Sequence, residues 1–388
     1  MKVGIVSNSP GEVAGWAIPA SSILKKIGSK VDLYLTPCVF STKKEYEVAL
    51  RYGNFNTIFP PEQTIQKIFF KSPKYDIFFH MGGEIWYSTR FRTKKLFSYG
   101  WGTKSLDKYF EAYLVPNQYY YRKLLDRNIS SGKIIKIKDL TFEKLKPQEY
   151  NINSNLIGFM LGSREVEFWG LLEIYLDAIK FIDHQYTFIF FVSPFIYHLF
   201  KDYEDFMSKV NYFVSKKTGK YSERLRFVIE EWEKIDLLPK LKLLVTIPGT
   251  KTNEAGYLGI PQLVILPVQK PEYIPIWGLG GWLDFLGKIG KKIKGYIVSK
   301  YIKDKILTGK RFIAMPNIIA NQAIIPEYVG NIQGYDLANK LNQILANHSF
   351  LIDISKKLRS IYEEWEKQSI SFEEFTRRIL EVNGGKNG

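Results

Sequence analysis

Short uninterrupted apolar runs alternate, along the first 143 residues, with longer stretches in which apolar positions recur every three to four residues. Val3–Ser7, Val31–Thr36, Thr57–Phe59, Asp76–His80 and Ala112–Val115 read as strands; Ala14–Ile27, Glu45–Tyr52 and Ile65–Lys71 read as helices. Strands that are apolar at every position, not at alternate ones, belong to a parallel sheet covered by helices on both faces. Lys144–Asn155 is polar, with Pro147 and several asparagines, and reads as a linker. The scheme then repeats, with strands expected at Leu156–Leu161, Thr187–Val192, Phe227–Ile229, Leu243–Ile247 and Gln262–Leu266. Asp336–Leu345 and Leu351–Val382 carry helical periodicity, and 383–388 reads as a frayed tail. The pattern predicts an α/β chain of two tandem Rossmann-like domains, residues 1–148 and 149–350. A C-terminal helix and tail follow at 351–388.

Two strands in the second half end in glycine-bearing turns that open helices. Leu156–Leu161 leads into Gly162-Ser163-Arg164-Glu165-Val166-Glu167, and Leu241–Ile247 leads into Pro248-Gly249-Thr250-Lys251-Thr252-Asn253-Glu254. Glycine admits a ligand close to the backbone, and helix-start N–H groups favour an anion such as a diphosphate. Arg164 at a helix start opposes the helix dipole, a conflict that a bound anion removes. The plainer alternative is a strand-to-helix turn with a solvated arginine, and Glu167 reads equally well as a first-turn helix acid. Gly249, Thr250, Thr252 and Glu254 suit a capped helix start or a site in which the Glu254 carboxylate takes a ribose diol. Together the two motifs describe a nucleotide-sugar site.

In the first half, Glu12 lies in Pro10-Gly11-Glu12 before the first helix, and Glu84 follows His80-Met81-Gly82-Gly83 at the end of a strand. Either carboxylate is placed to act as a general base on an acceptor, and Glu12 also suits a helix N-terminus. His80 is a third candidate, although a histidine ending an apolar strand is more often packed.

A length of 388 residues, 45% hydrophobic and 24% charged, suits two globular cores. The single cysteine, Cys38, excludes an internal disulfide, and it forms no metal-ligand spacing with the four histidines. The chain enters a strand at Lys2 and has no apolar run near the roughly 20 residues that span a bilayer, so neither a signal peptide nor a membrane span is expected. A net charge of +16 points to a polyanionic partner, and no nucleic-acid module stands out. In Pro275–Leu307, Trp282, Phe285, Leu286, Ile289, Ile293, Tyr296 and Ile297 recur at helical spacing, with Lys288, Lys291, Lys292 and Lys294 assigned to the opposite face. This reads as a basic amphipathic helix for an anionic membrane surface, or as a helix covering a core.

Four stretches in order resemble lipid-A-disaccharide synthase. Ser9-Pro10-Gly11-Glu12-Val13-Ala14-Gly15 is similar to that family's G-E-x-S-G-D, and Leu161–Glu167 to P-G-S-R-x-x-E. Gly249–Glu254 with Leu258-Gly259-Ile260-Pro261 resembles S-G-T-A-T-L-E and L-G-V-P. Met315-Pro316-Asn317-Ile318-Ile319-Ala320 and Ile325-Pro326-Glu327 resemble L-P-N-L-L-A and V-P-E. The chain departs from the family at Trp16, where an aspartate is usual, at Met81-Gly82-Gly83-Glu84, where I-D-A-P stands, and at Asn321-Gln322-Ala323, where G-R-E stands.

The resemblance implies a GT-B fold with a cleft between the domains and makes Asn317 a contact near the donor. It further implies an inverting glycosyltransferase that moves a sugar from a UDP-sugar to a lipid-linked or amphipathic acceptor. No metal or cofactor beyond the UDP-sugar donor is expected, and the protein would be cytoplasmic, peripheral on the inner face of the cell membrane. Two rivals remain: a UDP-N-acetylhexosamine 2-epimerase, and a non-catalytic basic protein binding membrane or nucleic acid on the same scaffold.

Overall fold

The fold is described from a computed structural model, covering residues 1–38, 41–70, 73–218, 223–269 and 287–384. The chain divides into two compact units, Met1–Glu143 with Glu363–Gly388, and Lys144–Tyr362.

Among the described residues the first unit holds seven strands: β1 (Lys2–Ser7), β2 (Lys30–Leu35), β3 (Thr57–Phe59), β4 (Lys74–His80), β5 (Arg92–Tyr99), β6 (Ala112–Val115) and β7 (Ile134–Lys136). All pair in parallel, in the order β3-β2-β1-β4-β5-β6-β7. The described residues of the second unit form six: β8 (Leu156–Met160), β9 (Thr187–Phe191), β10 (Leu225–Val228), β11 (Leu243–Thr246), β12 (Gln262–Pro267) and β13 (Glu327–Gly330). These too are parallel, ordered β10-β9-β8-β11-β12-β13. In each sheet the order reverses beside the first strand, between β1 and β4 and between β8 and β11. That is the switch point at which open α/β sheets bind ligands.

The continuous apolar runs form the centres of both sheets, as parallel strands with helices on both faces require: Val3, Ile5, Val6, Ile157 and Phe159 are fully buried. Three strands escape the apolar pattern. β5 opens with Arg92-Thr93-Lys94-Lys95, and only its second half is buried; β7 has three residues; β13 is half-buried throughout. The first helical stretch is α-helical over Pro10–Glu12, π-helical over Val13–Ala17 and α-helical again over Ile18–Lys26. Pro19 lacks the N–H that would close the regular ladder there, and the widened turn ahead of it absorbs the gap.

The domain limits differ from expectation. The first boundary falls at Glu143/Lys144, and the segment expected to stand apart from residue 351 is shared between the units. It forms two helices, His348–Lys367 and Phe372–Gly384, rather than one. From Glu363 the chain rejoins the first unit. Trp365 is buried there, its indole Nε1–H donating to the Ile137 carbonyl at 3.2 Å. Lys138 N–H donates to the Ile370 carbonyl at 2.9 Å, and Phe372 and Phe375 pack on Phe79 and Phe97 with ring centroids 5.2 Å apart in each pair.

Gly4 in β1 faces the buried Phe78 ring of β4, which stacks on Phe91 at 4.4 Å; a Cβ on Gly4 would stand 2.3 Å from that ring. Gly4→Ala therefore forces a packed aromatic cluster apart, and a loss of about 1–3 kcal/mol is expected in denaturant unfolding. Unchanged stability would show that the Phe78 cluster yields freely.

Candidate functional site

The sequence motifs of the second half meet at the carboxyl ends of neighbouring strands. β8 runs through Leu161–Arg164 into the helix Glu165–Ala178, and β11 runs through Ile247–Gly249 into the helix Thr250–Tyr257. Gly162 has φ +76°, in the left-handed region that favours glycine. A Cβ there would lie 2.6 Å from Glu167 Oε2. Glu167 folds back over the turn and accepts the N–H groups of Ser163 at 3.1 Å and Arg164 at 3.3 Å; Arg164 Nη1 donates to its other oxygen at 2.5 Å. The conflict between Arg164 and the helix dipole is thus relieved within the chain by a carboxylate one turn away. Arg164 and Glu167 keep 28% and 22% of their side-chain surface, enough for an incoming anion to compete for the same donors.

At the second turn Gly249 is exposed and Thr250 half-buried, whereas Thr252 is sealed. Thr252 Oγ1 donates to the Gly249 carbonyl at 2.7 Å and accepts Met315 N–H at 3.3 Å, so it braces the turn instead of presenting a hydroxyl. Glu254 is 8% exposed, and both its oxygens accept from Lys251 Nζ, at 2.9 and 2.7 Å. Asn317 also differs from the sequence reading. It is 1% exposed; its Nδ2 donates to the Ile325 carbonyl and Glu327 Oε1, both at 2.9 Å, and its Oδ1 accepts Ile324 and Ile325 N–H. With the amide spent on the 324–327 loop, the Asn317 side chain fixes that loop and offers no free group to a ligand.

The motif search missed a group of charges here. Glu231 and Lys234 lie 3.5 Å apart at the end of β10, and their fields reach Lys251. Burial alone would raise the Glu231 carboxyl, but Lys251 and Lys234 outweigh it and hold it below the ordinary value. Burial likewise pulls the Lys251 ammonium down, and Glu254 and Glu231 together hold it above the ordinary lysine value. The i, i+3 spacing of Lys251 and Glu254 was the readable signal.

In the first unit the ends of β1, β2 and β4 converge on Asn8, Glu12, Thr36 and the pair Gly82-Gly83. Cβ atoms on the two glycines would lie 2.9 Å from Asn8 Oδ1 and 2.6 Å from Thr36 Oγ1. Glu12 is 7% exposed and accepts Ser9 N–H at 3.1 Å. Burial raises its carboxyl to about 7, against the lowering effect of that backbone bond. Glu84, by contrast, is exposed at the start of the 3-10 turn Ile85–Arg90. His80 is fully buried, its Nδ1 2.8 Å from Ser88 Oγ, and burial lowers its pKa to about 3. It stays neutral and packed, as a histidine ending an apolar strand commonly does.

Part of the amphipathic segment falls outside what can be described: residues 270–286, with Trp282, Phe285 and Leu286, and the side chains of Lys288, Ile289 and Lys291. In the helix Gly287–Tyr301, Ile293, Tyr296, Ile297 and Tyr301 are 44%, 69%, 43% and 44% exposed. Lys294 corrects the expected division: it is 4% exposed, on the inner side with Val298 and Ile302, not on the outer polar face. Lys292, Lys300, Lys303, Lys305, Lys310 and Arg311 are exposed. No helix among the described residues is long and apolar enough to cross a membrane.

No family model matches the chain. A 205-residue stretch is 24% identical to a lipid-A-disaccharide synthase of Sulfurihydrogenibium sp. (strain YO3AOP1), covering 52% of this chain and 45% of that protein. The chain thus spans less than half the length of that curated relative. The structure of Acinetobacter baumannii MurG superposes with TM-score 0.53, over 98% of each chain at 11% identity. A UDP-N-acetylglucosamine 2-epimerase superposes with TM-score 0.50, over 94% of each chain at 12% identity. The fold is GT-B. Within it, the chain resembles lipid-A-disaccharide synthase.

The buried Glu12 gives a measurable pH dependence. Its folded-state pKa of about 7 stands above the ordinary 4.5, so the folded chain holds this proton more tightly. Its contribution is present below about pH 4.5 and is lost as pH rises through about 7, in total about 3 kcal/mol. Glu12→Gln should leave stability unchanged near pH 4 and raise it by about 1–3 kcal/mol at pH 8. Chemical denaturation at the two pH values checks this, and an equal effect at both would place Glu12 in a more solvated setting.

Proposed function

We propose that the chain is an inverting, metal-independent GT-B glycosyltransferase. It takes a UDP-sugar as donor, without a further cofactor, and transfers the sugar to a lipid-linked or amphipathic acceptor. It works on the cytoplasmic side, peripheral to the membrane. The observation that carries this is the pair of glycine-led turns at the switch point of the second sheet, Gly162–Arg164 and Gly249–Glu254. They lie side by side on β8 and β11, and in sequence they resemble, in order, the P-G-S-R-x-x-E and S-G-T-A-T-L-E motifs of lipid-A-disaccharide synthase.

In this reading the diphosphate takes the N–H groups of Ser163 and Arg164 and the Arg164 guanidinium, displacing the Glu167 carboxylate, while Glu254 takes the ribose diol. Glu12 is the general base. Its raised pKa lets it collect a proton from an acceptor hydroxyl near neutrality. The freed oxygen attacks the anomeric carbon, the bond from that carbon to the diphosphate oxygen breaks, and UDP leaves with its charge met by Arg164 and the helix-start amides. Glu84, exposed at the end of the neighbouring strand, is the alternative base. The epimerase reading has the second structural neighbour behind it, and it requires no lipid surface.

Calorimetric titration should show UDP binding to the wild-type protein, and Arg164→Ala should weaken it by about 1.5–3 kcal/mol. Glu12→Gln should keep UDP affinity and lose turnover. Full turnover in Glu12→Gln with loss in Glu84→Ala would transfer the base to Glu84, and absence of UDP binding would leave the non-catalytic reading.

The exposed Ile293, Tyr296, Ile297 and Tyr301, ringed by lysines, support contact with anionic lipid, where each cation near the surface contributes about 1 kcal/mol. Wild-type protein should pellet with phosphatidylserine vesicles and be released by salt, since the screening length is about 8–10 Å at moderate ionic strength. Tyr296→Glu with Ile297→Glu should abolish pelleting while UDP binding survives. Wild-type protein that stays in the supernatant would favour the epimerase reading.

A further inference from the structure

Asn8 and Glu12 share one donor. Both follow β1, and the Ser9 N–H reaches Asn8 Oδ1 at 2.7 Å and Glu12 Oε2 at 3.1 Å. The neutral amide oxygen is the nearer of the two, although a carboxylate ordinarily makes the shorter bond. Gly82, at φ +147°, leaves the space for both: a Cβ there would lie 2.9 Å from Asn8 Oδ1 and 3.2 Å from Glu12 Cβ and Cγ. Asn8 and Glu12 are 6% and 7% exposed, so water is no ready substitute for the shared donor. The other donor that the carboxylate feels is the N–H of Glu12 itself. Among the described residues no cation pairs with Glu12, and the titratable groups of the elements around it are neutral or acidic. The Tyr120 phenol, from the helix Gln118–Asp126, is kept protonated by burial and by the fields of Glu12 and Asp139, and His80 at the end of β4 is uncharged.

One N–H cannot serve two acceptors at full strength. While Glu12 is protonated, Asn8 keeps the amide. To ionise, the carboxylate has to draw that N–H away from Asn8, so it gains only the difference between two hydrogen bonds. Hydrogen bonds to the charged form are what let a buried carboxylate ionise, and Asn8 withholds part of this support. Resting on the reading of Glu12 as the general base, we propose that Asn8 is its positioning residue: Asn8 competes for the Ser9 N–H and so makes Glu12 a stronger proton acceptor. In the protonated state the amide belongs to Asn8, and in the ionised state Glu12 shares it. A carboxylate tuned in this way collects a proton from an acceptor hydroxyl more readily than an ordinary one, while Asn8 acts on the reaction through Glu12 alone.

The test is the titration of Glu12 itself, which needs neither donor nor acceptor. Its carboxyl carbon is followed against pH by NMR in glutamate-labelled protein and assigned by its loss in Glu12→Gln. In the wild-type protein the midpoint should stand near about 7. Asn8→Leu keeps the shape of the side chain and removes the rival oxygen. The Glu12 midpoint should then fall by about half a pH unit or more, the size of a modest difference between hydrogen bonds. An Asn8 that only fills space would leave the midpoint unmoved, and an Asn8 that supports the carboxylate would let it rise on substitution; either result overturns the proposal. If Asn8→Leu does not melt cooperatively, Asn8→Ala is read for the same fall. In the wild-type protein the Ser9 amide resonance should move in step with Glu12, and a Ser9 amide that ignores the Glu12 titration overturns the proposal as well. Full turnover in Glu12→Gln would remove Glu12 as the base and leave the midpoint shift standing, so the two readings fail separately.

Discussion

A parallel strand buried on both faces gives up every side chain to the core, and only its ends are left for chemistry. That constraint shapes both units of this chain. In the first sheet the chemistry-bearing groups Asn8, Glu12, Thr36 and Glu84 all lie just beyond the ends of β1, β2 and β4. In the second they lie just beyond β8, β10 and β11. His80, which ends β4, is fully buried, and its depressed pKa keeps it uncharged. The reversal of strand order beside β1 and β8 then decides which ends adjoin.

At those ends the polar groups satisfy one another. Glu167 accepts the Ser163 and Arg164 amides, Lys251 donates to both oxygens of Glu254, and Asn317 is spent on its own loop. Arg164, Glu167 and Lys251 keep accessible side-chain surface, whereas Glu254 and Asn317 are buried. A ligand at such a turn gains only the difference between its own bonds and those it replaces, so charge-assisted contacts matter more here than neutral ones.

The sequence was most legible where burial is symmetric. β1, β4, β8 and β11 each have a buried apolar run at their centre, and the pattern located them closely. β5 was invisible because Arg92–Lys95 forms its exposed end, and β7 and β13 because they are too short or too shallow to show a run. Among the site residues, glycine and capping patterns found the two turns but could not say who satisfies them. Asn317 looked like a contact because a motif cannot reveal that its amide is already used. Lys294 looked like a surface cation because helical spacing alone does not say which side of the helix meets the core.

The return of the chain to the first unit after Tyr362 has a consequence for biosynthesis. The first sheet emerges from the ribosome early, yet the Trp365 indole and the strand-like partner at Ile370 that complete its far edge come some two hundred residues later. At about 5–20 residues per second, that edge stays bare for on the order of ten seconds or more. The second unit, contiguous in the chain, can close first, so the order of completion during synthesis is the reverse of the order of emergence.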